Sequence, residues 1–421
     1  MDSEAWPSFF FAVIPAEAGI HSAVIPAEAG IHVGLNNMDP RFRGDDTLCM
    51  MQNLIPVLSV VASRLHTSVM SNCLATTTII TALLGAAALV PRTPLRAQAP
   101  ERLFYYVDKE DSYRSLVEHV DRIDVLGPQV YTVDSLGTIW GGLDPRVKRL
   151  AAEHDVKVMP LVVNEGFNQP ALRKLLADTA ARGRATRTMA ELCKTEGYWG
   201  IQFDIENINF QDRDLFTAWY SETADALHAV GCKISIAVVH RPDEFAGPTG
   251  YHRFLHENWR AGYDLAAIGK VGDFVSLMTY AQQTRRTPPG PIAGIPWMRA
   301  VVDYTLQFVP ANKVSLGIPT WSEHWYTRDD PSIPERARSW SSTMSWEWAK
   351  GLANRHGATI QWDAKEGVPF AYYPNGGVYE WLFFENARSF RAKLDLMKEK
   401  KLRGFSVWVL GPEDPAIWEV K

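Results

Sequence analysis

From residue 102 onward, short runs of apolar and β-branched residues alternate with longer stretches whose apolar positions return every three or four residues. The first pattern is that of a strand buried on both faces, and the second that of an amphipathic helix. Strands are predicted over 103–107, 124–132, 157–163, 199–205, 233–239, 274–279, 313–318 and 404–410, with helical runs such as 145–154, 215–230 and 387–400 between them. Eight strands separated by helices predict an α/β chain folded as a (β/α)8 TIM barrel. A doubly wound open sheet is the alternative. It fits less well, because no glycine-rich phosphate loop follows the first strand.

One connection breaks the rhythm. Between the seventh strand and the helix beginning near Ala387 lies a segment too long to be a structureless loop. It contains a helix-like run at 345–356 and strand-like runs at 359–362 and 378–384. A small α+β insertion over about 322–386 is therefore expected between strand 7 and helix 7, forming one wall of a cleft.

The first hundred residues have another character. A nine-residue run starting at Val13 recurs unchanged from Val24, too short and isolated for a solenoid, so 1–50 reads as an upstream extension from a misplaced start. Residues 51–99 read as an export signal, with Arg64 and His66 before an apolar run over 74–90 and Ala97-Gln98-Ala99 as a cleavage site. An uncleaved anchor is the alternative. The expected location is secreted or periplasmic, with no stable membrane insertion after cleavage, for a barrel spanning 100–421.

The polar positions of the fourth strand change the picture most. In Gly200-Ile201-Gln202-Phe203-Asp204-Ile205-Glu206, alternate residues share a face, so Gln202, Asp204 and Glu206 point one way and the apolar residues the other. An apolar outer face and a polar inner face suit a barrel strand whose inner side opens on a pocket. A carboxylic acid able to protonate a leaving oxygen, with a second carboxylate close by to raise its pKa, is what glycoside cleavage requires. A buried polar network without function is the bland alternative.

Composition adds limits. With a formal net charge of -5 the chain has no basic excess for nucleic acid. Its 15 Trp and 14 Tyr offer flat faces on which sugar rings stack. No His/Cys/Asp cluster has metal-ligand spacing, so neither metal nor cofactor is expected. Of the four cysteines, Cys49 and Cys73 precede the barrel; Cys193 and Cys232 are equally readable as a disulfide or as two buried thiols.

The strand ending in Asp204-Ile205-Glu206 resembles the signature strand of glycoside hydrolase family 18, the chitinase family. The resemblance extends to Met278-Thr279-Tyr280 on strand six, Leu316-Gly317-Ile318-Pro319 on strand seven, and Gly404-Phe405-Ser406-Val407-Trp408 with Leu410-Gly411 on strand eight. Residues 357–363 and 384–389 are similar to the spore-cortex and cell-wall lytic branch. The resemblance implies a retaining, substrate-assisted glycosidase acting beside N-acetylglucosamine, in peptidoglycan or chitin oligosaccharides, with peptidoglycan slightly favoured. It implies Glu206 as acid and base, Asp204 as its helper and acetamido holder, Tyr280 on the acetamido carbonyl, and Trp408 beneath the sugar. Gln202, Tyr131, Asn164, Met278 and Trp321 complete the candidate sugar contacts. The chain departs from the family where aspartates are usual, at Trp199, Gln202 and Ala281. A catalytically inactive lectin on the same barrel, and a hydrolase of unrelated chemistry, are the other readings; a monomer is expected.

Overall fold

The computed structural model describes residues 99–330 and 333–420; the readings of 1–50 and of the export signal fall outside them. Strands β1 (Glu101–Tyr106) and β2 (Val125–Val133) begin a parallel ring. A short strand β3 (Ile139–Gly141) folds back antiparallel on the end of β2. The third stave comes in two pieces, β4 (Lys157–Val158) and β5 (Leu161–Asn164), interrupted at Pro160, which has no N–H to give a ladder. The ring continues through β6 (Gly200–Asp204), β7 (Lys233–Val239), β8 (Phe274–Met278) and β9 (Val314–Pro319). Its last stave, β15 (Gly404–Trp408), pairs with both β9 and β1, so the barrel is closed. All eight expected strands are present.

Helices α1 (Glu110–His119), α2 (Pro145–Glu153), α3 (Gln169–Ala177), α4 (Thr179–Glu196), α5 (Arg213–Ala229), α6 (Gly250–Leu255), α7 (Leu265–Val271) and α8 (Ile295–Thr305) lie between successive staves. Their starts follow local chemistry: the Asp144 side chain accepts from Arg146 N ahead of Pro145, and Asp178 accepts from Ala180 N and Ala181 N. The outer face of β6 shows how the helix layer is held. Phe203 is fully buried against Trp219 (4.9 Å between ring centroids) and Tyr220 (5.4 Å) of α5. Burial of such a side chain contributes about 2–3 kcal/mol.

Inside the ring the register sets Gln129 beside Leu161, Leu161 beside Gln202, and Gln202 beside Ser235. Small residues, among them Gly127, Ser276, Gly317 and Ser406, leave room there for Tyr105 and Gln202. Cys193 of α4 and Cys232 before β7 form a disulfide, which resolves the open choice between bridge and free thiols.

The insertion is more sheet than its sequence suggests. After β9 come β10 (Ser322–Asp330) and β11 (Ile333–Met344), a long antiparallel hairpin, then α9 (Trp346–Arg355). Strands β12 (Gln361–Asp363), β13 (Val368–Asn375) and β14 (Val378–Phe383) complete a five-stranded sheet before α10 (Ala387–Glu399) returns the chain to the barrel. The hairpin and β13 were not expected. Their stretches carry serines, charges and prolines rather than clean apolar alternation.

Candidate active site

Asp204 ends β6 and Glu206 follows two residues later, so both stand at the mouth formed by the C-terminal ends of the staves. Three neighbours fix the chain there. The Asn164 side chain donates from Nδ2 to the Glu206 carbonyl (3.0 Å) and accepts the Glu206 N–H at Oδ1 (2.9 Å). The Tyr263 hydroxyl donates to the Ile205 carbonyl (2.8 Å). Asn207 then turns in the left-handed region (φ 57°), a conformation asparagine tolerates better than most residues, and its Nδ2 donates to the Phe167 carbonyl.

The electrostatics separate the two carboxyls. Asp204 is nearly sealed, and burial pushes its pKa up to about 6 although Gln129 Nε2 donates to Oδ2 at 3.0 Å. Burial also pushes Glu206 well above the ordinary carboxylate range, and the charge on Asp204 pushes it further. Both shifts favour the protonated forms, and the charge of Asp204 adds to the pull on Glu206, so Glu206 is the member of the pair that is pushed toward holding a proton. No side-chain hydrogen bond reaches the Glu206 carboxyl among the described residues, and the residue keeps only a small part of its surface exposed.

Tyr280 continues the line of β8 and is close enough to feel the charges of both carboxylates. Its ring fits because Gly317 has no side chain: a Cβ there would sit 3.0 Å from the ring and 2.0 Å from the Leu277 carbonyl. Trp321 packs edge-on against Tyr280 at 5.6 Å, and Met278 lies at the end of the same strand. Trp408 ends β15 and tilts against Tyr105 at 5.3 Å. Thr320 holds its backbone, donating its N–H to the Trp408 carbonyl and accepting the Val409 N–H at Oγ1 (2.8 Å).

Three expected sugar contacts are placed otherwise. Asn164 spends its amide on the Glu206 backbone. Gln202 is fully buried one layer below the mouth, donating to Ser235 Oγ (2.8 Å) and Ser276 Oγ (3.3 Å), while Asp204 accepts its hydrogen bond from Gln129. Tyr131 pairs in register with Val162, which pairs with Phe203 of the outer face, and its hydroxyl meets that of Tyr198 at 2.9 Å. An irregularity between Gln129 and Tyr131 turned that side chain outward and left Gln129 facing in. Gln129, a polar residue in the middle of a mainly apolar strand, was the available signal.

Two further residues near the site were missed. His240, just past β7, is buried against the main chain of Met278 and Tyr280. Glu323, at the root of the insertion, accepts from Trp321 Nε1 at 3.3 Å, and burial pushes it up to about 7. A cavity of about 410 Å³ at the opposite foot of the barrel is lined by Phe104, Phe405, Trp418 and the ion-paired Arg102 and Asp124, and holds none of these groups.

Residues 105–413 match the sequence profile of Glycosyl hydrolases family 18. The chain belongs to that family. It is thus a glycoside hydrolase by kinship, with the closed barrel that the family motifs implied. Among family 18 relatives, the cortical fragment-lytic enzyme of Bacillus subtilis (strain 168) is 30% identical over 300 residues, 70% of this chain and 66% of that one. The uncharacterized glycosylase YvbX of the same organism is 25% identical over 314 residues, 73% of this chain and 86% of that one. The chain spans less than two thirds of the former and 54% of the putative sporulation-specific glycosylase YdhD. Among solved structures, a chitinase from Chromobacterium violaceum ATCC 12472 superposes with a TM-score of 0.67 at 25% identity, covering 76% of this chain and 98% of that one. The Bacillus megaterium QM B1551 spore cortex-lytic enzyme SleL gives 0.66 at 25% identity, covering 76% and 72%.

Proposed function

We propose that this family 18 hydrolase is exported and cleaves β-1,4 bonds beside N-acetylglucosamine, in peptidoglycan glycan strands before chitin oligosaccharides, with retention of configuration. The observation that carries the reading is the placement of two buried carboxyls, Asp204 and Glu206, together at the barrel mouth, where burial and the charge of Asp204 both push Glu206 toward its acid form. Glu206 gives its proton to the glycosidic oxygen while the substrate's own acetamido oxygen attacks the anomeric carbon, closing an oxazolinium ring. Asp204 accepts the acetamido N–H, Tyr280 donates to the acetamido carbonyl, and Trp408 lies under the sugar. Water then attacks the anomeric carbon with Glu206 as base, which opens the ring and restores the acid.

Peptidoglycan is favoured by the cortex-lytic relatives and by the likeness of residues 357–363 and 384–389 to the lytic branch. The Cys193–Cys232 bridge favours an oxidising compartment. The test is digestion of purified glycan strands and of N-acetylglucosamine oligomers by the full chain, with products weighed. Glu206→Gln is expected to lower turnover by roughly 10²–10⁴-fold. Binding of either glycan with no hydrolysis by the unaltered protein would make it a sugar binder instead.

A further inference from the structure

Arg260 is a cation at the rim of the barrel that has no ion pair among the described residues. It lies in the helical turn His256–Arg260 that follows α6, and it is half-buried. Its Nη2 reaches His240 Nε2 at 3.0 Å. Because a guanidinium can only donate, that nitrogen must be the acceptor, so the imidazole is neutral with its proton on Nδ1. The same neutral form is favoured by burial and by the guanidinium charge. No carboxylate lies within ion-pair distance of Arg260 among the described residues; Asp243 acts on it only through space. The contrast with its neighbour is direct, since Arg241 pairs with Glu244 and bonds the Tyr304 hydroxyl. Arg260 is only partly covered, so part of its side chain stays within reach of a ligand.

Its place in the ring gives the charge a use. Glu206, His240 and Tyr280 follow three successive staves, β6, β7 and β8, and Arg260 is anchored on the middle one. The segment carrying it is tied to the other side of the site: Asn258 Oδ1 accepts from Gln169 Nε2 (3.1 Å) and Asn209 Nδ2 (2.9 Å), and Gly262 packs against Ile208. The proton on Glu206 is set by burial and Asp204, with no opposing pull from Arg260. The guanidinium is thus fixed at the end of the stave between those of Glu206 and Tyr280, on the rim where a sugar next to the one being cleaved would pass.

We infer that Arg260, held by His240, binds a carboxylate on the sugar unit adjoining the cleaved N-acetylglucosamine, and so selects acidic glycans over neutral ones. This rests on the proposed reaction at Glu206. A chitin oligomer has no charge to offer it. In peptidoglycan the group comes from one of two sources, the lactyl ether of the muramic unit or the peptide it carries. The planar fork of arginine suits a carboxylate, while a half-buried guanidinium left without an anion gains least from a neutral ligand.

The experiment compares kcat/KM of the full chain and of Arg260→Gln on N-acetylglucosamine oligomers, on glycan strands stripped of peptide by an amidase, and on peptide-bearing muropeptides. The expected result is a fall of about 10-fold or more on acidic glycans and less than about 3-fold on the neutral oligomer, with Arg260→Lys recovering part of the difference. Loss confined to stripped strands identifies the lactyl carboxylate; loss confined to peptide-bearing ones identifies the peptide. Equal losses on acidic and neutral substrates, or none on either, overturn the inference. If the unaltered protein cleaves only neutral oligomers, the inference falls and the glycosidase reading stands. If it cleaves nothing, the reading beneath it falls first. Raised salt gives a second readout, since it should weaken turnover of acidic glycans in the unaltered protein and leave Arg260→Gln unmoved.

Discussion

Asp204 and Glu206 are close enough that each sets the state of the other, and the pH profile should show it. As pH falls through about 6 Asp204 gains a proton, and activity should fall because the acetamido N–H loses its acceptor. As pH rises through the higher Glu206 value the acid loses its proton, and activity should fall again. Asp204→Asn removes a like charge that disfavours ionisation of Glu206, so the alkaline limb should move to lower pH as well as turnover dropping. An alkaline limb that stays in place would mean the proton is held by burial alone. Gln129→Leu should act on the other limb: the lost hydrogen bond favoured the ionised Asp204, so the acidic limb should move up. At this scale the two carboxylates were legible because an Asp-x-Glu pair on an apolar strand has few other uses. The roles of Gln129, His240 and Asn164 were not, because a single polar residue in or just after a strand gives no sign of which neighbour it will hold. Tyr131 misled because alternation fails at a bulge, and bulges leave no mark in a periodic pattern.

At the scale of elements, the barrel staves were readable and the insertion hairpin was not, for one physical reason. Staves buried on both faces are predominantly apolar, with polar residues such as Gln202 and Asp204 confined to the inner face, whereas β10 and β11 mix serines, charges and aromatics along their length. The disulfide also belongs here, joining α4 to the start of β7 across a separation of 39 residues. Spacing did not decide it, since pairing depends on two Cα atoms coming within reach, here 6.5 Å, which only the closed ring arranges. On chain-entropy grounds a loop of that size stabilises the folded chain by roughly 3–4 kcal/mol. Reductant should therefore lower the urea midpoint of the unaltered protein and leave Cys232→Ser unchanged, the variant starting from the lower value. Equal midpoints with and without reductant would argue against the bridge.

For the whole molecule, the question is what binds the insertion to the barrel where the chain returns from β14 into α10. Lys393 and Glu385 meet there at 2.5 Å, both buried, and Ser389 Oγ donates to the same Glu385 oxygen at 2.7 Å. Burial pulls the lysine down and pushes the glutamate up, so each charge persists in the interior because of the other. Removing one partner should therefore do more harm than removing both. Lys393→Met is expected to lower stability by about 3–5 kcal/mol, and Lys393→Met with Glu385→Gln by clearly less. The single variant also has a sign in pH. Its stranded carboxyl should have a folded pKa raised above the unfolded value, so the native state binds the extra proton and stability declines as pH rises from acid to neutral. Urea titrations of the three proteins at two pH values measure all of this, and a single variant no worse than the double would show that packing of α10, rather than the ion pair, holds the insertion in place.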